Sequence, residues 1–304
     1  MIVPAIKSSK RQLWLAAIKP PMYSVAVIPI WVGTAVAFTE RGTINSRILL
    51  MFTLAAISVL AWVNISNDAF DAETGVDRNK AHSLVNLTGN QPFVFWLGNV
   101  FLAIGLLGIV AIAWLQQDPT VLLIVLLTCA LGYSYQGPPF RLGYHGVGEI
   151  ICFVCFGPLA ISAAYYSQTQ SWSLAALAIS IIVGIATSLV LFCSHFHQLE
   201  DDLAVGKRSP IVRLGTAKAA ELLRWVTGSL YFFTSLFAIA GLIPLWTLLI
   251  FVSLPFSIQL CRHVGKHHDQ PELVSNCKFI AIAVHFSSGI ALIAGLAIGK
   301  FGAM

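Results

Sequence analysis

Two stretches of this 304-residue sequence gather side chains that could do chemistry together. The first, NISNDAFDAETGVDRNK, runs from Asn64 to Lys80. Asn64, Asn67, Asp68 and Asp71 stand at i, i+3, i+4 and i+7, so a helix through them presents all four on one face. The second, HFHQLEDDLAVGKRSPIVRLG, runs from His195 to Gly215. There Gln198 and Asp202 are four apart, His195 falls on the same helical stripe, and Asp201 sits beside them. Carboxylates crowded in this way repel one another unless a divalent cation lies between them. A set of Asp and Asn oxygens favours Mg2+, which keeps several waters and binds phosphate oxygens as well. Basic residues follow each acidic run: Arg78 and Lys80 after the first, Lys207, Arg208 and Arg213 after the second. Acid followed by base is what a metal–diphosphate site requires. The acids hold the metal, the metal bridges phosphate oxygens, and Lys or Arg neutralises the remaining charge.

The elements that must position these groups are apolar. Of all residues 57% are hydrophobic and only 10% charged, against roughly 25% charged in a soluble domain. Nine apolar runs are each long enough to span a bilayer as a helix: about 22–39, 46–63, 92–115, 120–136, 147–166, 172–194, 226–242, 244–260 and 279–299. The expected fold is therefore an all-α integral membrane bundle of nine transmembrane helices around a central cavity. If the N-terminus is cytoplasmic, only Arg41, Arg47 and Lys300 of the 18 Lys and Arg fall on the opposite side. The net charge of +5 then reflects topology and excludes nucleic-acid binding as its reason. The basic leader and first apolar run read as a retained helix, not a cleaved signal. Five of the six cysteines (Cys129, Cys152, Cys155, Cys193 and Cys277) lie in or beside predicted spans, and the Cys152–Cys155 pair reads as small packing residues. Both acidic runs follow a span on the cytoplasmic side, the second and the sixth. This equivalence suggests a duplicated four-helix unit, about 20–136 and 147–260, plus a ninth helix, all within one domain covering 1–304.

The two acidic loops resemble those of the UbiA-type intramembrane aromatic prenyltransferases. The first motif of that family reads N-x-x-x-D-x-x-x-D or close variants. Asn64 and Asp68 match it, and Asp71 supplies the later acid, as in the NDxxD form of the menaquinone branch. The second family motif is D-x-x-x-D. Here Gln198 replaces the first Asp and Asp202 matches the second. The family's basic tail and RLG are present as Lys207–Arg208 and Arg213–Gly215. DRNKAHSLVNLTGN (Asp77–Asn90), the second acidic stretch and YSYQGPPFRLGYHGVGE (Tyr133–Glu149) are similar to the branch that prenylates 1,4-dihydroxy-2-naphthoate toward phylloquinone and menaquinone.

The resemblance implies a Mg2+-dependent transfer of a phytyl or longer prenyl group from its diphosphate to that acceptor, with decarboxylation. It implies metal ligands at Asn64, Asp68, Asp71, Gln198 and Asp202, of which Asp68, Asp71 and Asp202 are the catalytic acids. Diphosphate contacts are implied at Arg78, Lys80, Lys207 and Arg208. Asn67, Tyr133, Tyr135, Arg141, Glu149, His195 and Asp201 are candidates for steadying the allylic cation or holding the acceptor. Glu149 stands out, because an acid at the start of an apolar helix is costly unless paired or working. The expected partners are the two substrates and the lipid bilayer, in a plasma or thylakoid membrane, with no nucleic acid or protein partner. Other aromatic acceptors (homogentisate, 4-hydroxybenzoate, chlorophyllide) are alternatives within the same chemistry. A transporter is the alternative outside it, but would carry its polar residues at mid-span.

Overall fold

The computed structural model describes residues 10–76 and 80–302, so Arg78 lies outside the described residues. Helix α1 (Lys10–Ile18) ends at Lys19, whose left-handed backbone leads into a 3-10 turn, Pro20–Tyr23. Helices α2 (Ser24–Arg41), α3 (Ser46–Thr74), α4 (Leu84–Thr88), α5 (Gln91–Gln116) and α6 (Thr120–Gln136) follow. Helix α7 (Gly148–Val154) continues through a wider π segment, Cys155–Leu159, into α8 (Ala160–Thr169). Then come α9 (Leu174–Ser194), the short α10 (Leu199–Ala204) and α11 (Pro210–Leu214), and α12 (Thr216–Ile239). A 3-10 stretch, Leu245–Ser253, opens α13 (Leu254–His267), and α14 (Pro271–Val274) precedes α15 (Cys277–Gly302).

Among the described residues eight segments are long and apolar enough to cross a membrane. Helix α6 is also apolar but has 17 residues, the lower limit of about 17 for a span. The chain is thus an all-α, multi-pass membrane bundle. Large apolar side chains, among them Trp96, Leu107, Trp114, Trp225 and Ile239, face outward, as a lipid-facing surface requires.

Two apolar clusters hold the bundle. One joins α2, α8, α9, α12, α13 and α15 through residues such as Ile28, Ile161, Ile182, Leu223, Leu260 and Leu292. The other joins α2, α3, α5, α6 and α8 through Ile30, Phe52, Ile109, Val125 and Ala163. Helices α2 and α8 belong to both, so they tie the two sides together. In lipid such contacts rest on close packing, which small residues permit. At Gly157 in the π segment a Cβ would lie 2.5 Å from the Ser180 carbonyl oxygen of α9, and 2.9 Å from the Gly184 Cα. This approach sets α7 against α9, and the Ser188 hydroxyl donates to the Glu149 carbonyl at 3.0 Å.

Helix α3 does not stop where its apolar run ends. The Asn45 side chain accepts from the Ile48 N–H at 3.2 Å to start it. It runs 29 residues to Gly75, which caps it at φ 79°. At ~1.5 Å per residue that is about 43 Å, longer than a hydrocarbon core of about 30 Å. The surplus turns carry the first acidic cluster beyond the apolar layer.

Candidate active site

The extension of α3 past Val63 puts Asn64, Asn67, Asp68 and Asp71 on one face of one helix. Asp68 is buried (1% exposed). Its Oδ1 lies 3.1 Å from Lys80 Nζ and 3.5 Å from Lys19 Nζ, and its Oδ2 accepts from the Leu84 N–H at 2.9 Å. Asp71 Oδ1 accepts from the Gln136 amide at 2.7 Å. Asn64 Nδ2 and Gln136 Oε1 are buried without a hydrogen-bond partner, two polar atoms of this pocket that a ligand or water must satisfy.

The second cluster is built differently from the sequence expectation. Helix α9 ends at Ser194 and residues 195–198 form a turn, so His195, Gln198 and Asp202 do not share one continuous helical stripe. Gln198 is instead the N-cap residue of α10, and its carbonyl accepts from the Asp202 N–H at 2.8 Å. The turn still brings His195 and Asp202 together, with Nδ1 3.2 Å from Oδ2. Lys207 Nζ sits 3.1 Å from Asp202 Oδ1 and is itself buried (5% exposed). Burial opposes the charge on Asp202, but the His195 hydrogen bond and the Lys207 ammonium outweigh it and hold the carboxyl below its usual value. Asp201 is half-buried and the Arg208 side chain is exposed.

Tyr144 links the clusters. Its hydroxyl lies 2.6 Å from Thr74 Oγ1 at the end of α3, while its carbonyl accepts from the Arg208 N–H at 2.8 Å. Its ring lies under Lys207, 5.8 Å from the ammonium. Burial raises its hydroxyl pKa to about 12, so it stays a hydrogen-bonding phenol at neutral pH. Asp71 and Asp202 both act electrostatically on this hydroxyl and on that of Tyr135, so the two clusters adjoin one region. The Tyr135 ring is seated against Gly148 and Gly143, where a Cβ would meet its Cε2 at 2.6 and 2.8 Å.

Several expected residues have other work. Arg141 Nη2 pairs with Glu73 Oε2 at 2.9 Å. The Tyr133 hydroxyl donates to the Pro138 carbonyl at 2.8 Å, and its ring packs edge-on against Phe70, 5.9 Å between centroids. These contacts shape the loop after α6 and leave Arg141 engaged by an acid. Arg213, too, is a brace: its guanidinium donates to the carbonyls of Arg208 and His145. Glu149 stands opposite His195, with Oε1 3.5 Å from Nε2. Asn67 is half-buried on the α3 face.

Sequence reasoning counted Lys19 for topology alone and did not single out Gln136, Thr74 or Tyr144. The signal for Lys19 was its place before Pro20-Pro21, which turns the chain and aims the residue at the bundle end. Gln136 and Tyr144 lie in segments remote from the acids, and no spacing rule links them; Thr74 stands three residues after Asp71 in the first stretch.

The donor set fits Mg2+. The candidate hard oxygens are those of Asp68, Asp71 and Asn64, with the carboxylate of Asp202 and the side-chain amide oxygen of Gln198 in the second cluster. The ammonium groups of Lys19, Lys80 and Lys207 beside them suit the oxygens of a polyanion.

Comparison with known proteins places the sequence and the fold. The chain is 55% identical to the 2-carboxy-1,4-naphthoquinone phytyltransferase of Synechocystis, over 97% of this chain and 96% of the relative. It is 39% identical to the chloroplastic protein of that name from Arabidopsis thaliana, covering 93% of this chain and 76% of that one. In fold it is similar to a UbiA homolog from Archaeoglobus fulgidus solved with GPP and Mg2+, with TM-score 0.64, 18% identity, and 94% and 100% of the two chains covered. A UbiA homolog from Aeropyrum pernix superposes with TM-score 0.69 at 14% identity, over 92% and 98%. Residues 26–283, which contain both acidic clusters and the Tyr144 link, match the UbiA prenyltransferase family, and the chain belongs to it.

Proposed function

We propose that this protein transfers a phytyl or longer prenyl group from its diphosphate to 1,4-dihydroxy-2-naphthoate, with loss of carbon dioxide, as a step of phylloquinone or menaquinone synthesis. The observation that carries this reading is the pair of lysine-bearing acidic clusters at the ends of α3 and α9, joined through Tyr144. The relative at 55% identity is a phytyltransferase of a carboxylated naphthoquinone, which supports a phytyl-type donor and a carboxylated naphthalene acceptor. The polar residues collect at helix ends, which favours an enzyme working at the membrane face over a transporter with a mid-span site.

Asn64, Asp68, Asp71, Gln198 and Asp202 would hold Mg2+, which when bound would supply electrostatic stabilisation of the departing diphosphate. Lys80, Lys207 and Lys19 neutralise the diphosphate oxygens that the acids leave uncovered. Arg208, whose side chain is exposed, adds positive charge beside them, and Arg78 remains a proposed diphosphate contact outside the described residues. These contacts strengthen as the allylic C–O bond breaks and its electron pair moves onto the diphosphate. The developing cation is steadied by the face of Tyr135. The apolar chain lies among the helices, away from water that would trap the cation.

In this reading nine spans cross the membrane from a cytoplasmic N-terminus, as one domain built of two four-helix halves and a last helix. The active-site loops face the cytoplasm of a plasma or thylakoid membrane. Membranes containing the protein are to be assayed with labelled phytyl, geranylgeranyl and longer diphosphates against a panel of aromatic acceptors, with and without EDTA. Prenylated naphthoquinol is the expected product, lost with EDTA and restored by Mg2+. Turnover that is indifferent to chelation, or that ignores the naphthoate, overturns the proposal.

A further inference from the structure

One acid near the two clusters lacks the partner the others have. Asp68 and Asp202 each carry a lysine within 3.1 Å. Glu149 has none that close. Its Oε1 is buried and makes no hydrogen bond, and the His195 ring lies beside it, with Nε2 at 3.5 Å. Its place is fixed from behind. It occupies the first turn of α7, where the helix N-terminus favours a negative charge. The Ser188 hydroxyl of α9 holds its carbonyl. The neighbouring Gly148 abuts Tyr135. The groups acting on the carboxylate are His195, its own backbone N–H, Lys207 and Asp202, and Tyr135 lies within its field and that of Asp71.

A buried carboxylate oxygen without a donor costs free energy, on the order of 1–3 kcal/mol or more for a charged group. The partner that satisfies it, water in the empty site and a ligand in the filled one, must bring a hydrogen. A diphosphate cannot, since its oxygens only accept and its charge is repelled. A phenolic hydroxyl can. The proposed acceptor has one beside the carbon that bears its carboxylate, and a decarboxylating substitution must form its new bond at that carbon.

We propose that Glu149 receives this hydroxyl and acts as the base for the ring's attack, an inference that rests on the function proposed above. The ring carbon forms a bond to the allylic carbon as the C–O bond to diphosphate breaks and its electron pair leaves with the diphosphate. The hydroxyl proton passes to Glu149 Oε1, and the O–H electrons form a carbonyl. The attacked carbon now carries a carboxylate β to that carbonyl. The C–C bond to the carboxylate breaks, carbon dioxide leaves, and its electron pair restores the aromatic ring. The proton returns from Glu149 to the oxygen, so the residue ends unchanged and no oxidant or reductant is consumed. The same contact selects the reduced acceptor, because a quinone carbonyl has no hydrogen to offer and faces the carboxylate with a lone pair.

The test uses the full-length enzyme in membranes, with 1,4-dihydroxy-2-naphthoate and its methyl ether at the hydroxyl next to the carboxylate. With the free hydroxyl, Glu149→Gln lowers kcat by about 10²–10⁴-fold, the usual worth of a positioned base. The KM for prenyl diphosphate and the Mg2+ requirement stay at wild-type values. With the ether, wild type and Glu149→Gln are equally slow, because both have lost the same proton transfer. The wild-type comparison of the two acceptors stands even if the variant does not fold. Equal rates of wild type on both acceptors would falsify the proposal. So would a Glu149→Gln rate within threefold of wild type, or an equal fold-loss on both acceptors, which marks a merely structural residue. A wild type that prenylates no dihydroxynaphthoate at all overturns the function itself and this role with it.

Discussion

Replacing Gly148 with alanine probes how tightly the site holds Tyr135. The added Cβ would lie 2.6 Å from Tyr135 Cε2, with Cδ2 and Cζ at 3.4 and 3.5 Å. Comfortable carbon–carbon contact is about 3.5–4.0 Å, so the ring edge must retreat by about 1 Å. Tyr135 lies in the field of both acidic clusters and Glu149, where a displacement of ~1 Å costs about 10²-fold in rate. Overpacking of this kind also costs about 1–3 kcal/mol of stability. The expected outcome is a kcat near one hundredth of wild type, with a modestly lower Tm in detergent and an unchanged Mg2+ requirement. The decisive measurement is a double-variant cycle with Tyr135→Ala. If the clash acts through the ring, Gly148→Ala adds nothing once the ring is gone. Full multiplication of the two losses would refute this reasoning, as would a Gly148→Ala kcat within twofold of wild type.

Asp68→Ala and Asp202→Ala are each expected to abolish turnover while leaving helical content by circular dichroism unchanged, and near-normal rates in both would remove the two-cluster site. Gln198→Asp restores an anionic oxygen in the second motif, so half-maximal activity should need less Mg2+; an unchanged metal titration would show that Gln198 is not a ligand. The depressed pKa of Asp202 contributes stability that is present above its unfolded value of about 3.9 and is lost as pH falls through the lower folded value. Removing a cause of the depression raises the folded value, so Lys207→Met should move the acid-unfolding midpoint to higher pH; tryptophan fluorescence showing no movement would count against the ion pair.

Helix α3 was legible because one face of it carries chemistry at regular spacing, and the only question was whether the helix continued past Val63. It does, since nothing between Val63 and Thr74 breaks it and Gly75 supplies the stop. The second cluster was legible as a composition but not as a geometry. His195, Gln198 and Asp202 fit a helical repeat on paper, yet the chain turns after Ser194 and reaches the His195–Asp202 contact by another route. Periodicity cannot tell a continuous helix from a helix–turn–helix of the same spacing. Tyr144 and Gln136 were illegible because their roles arise from tertiary approach: one side chain meets Thr74 across the site and the other meets Asp71 from α6. Tyr133 and Arg141 were candidates by residue type, and the structure adds that each makes a local contact, to the Pro138 carbonyl and to Glu73.

The placement of the lysines beside Asp68 and Asp202, on turns that outrun the apolar layer, bears on how the reaction ends. Both proposed substrates are amphiphiles, each with an anionic head. In the proposed reaction the donor surrenders its diphosphate and the acceptor its carboxylate, so the joined molecule keeps neither handle. A site that holds anions has no purchase on a neutral quinol with a hydrocarbon chain. That molecule partitions into the lipid, while diphosphate and carbon dioxide leave toward water. Two phases carry the products apart, and reversal would require them to meet again at a boundary that only one of them still prefers.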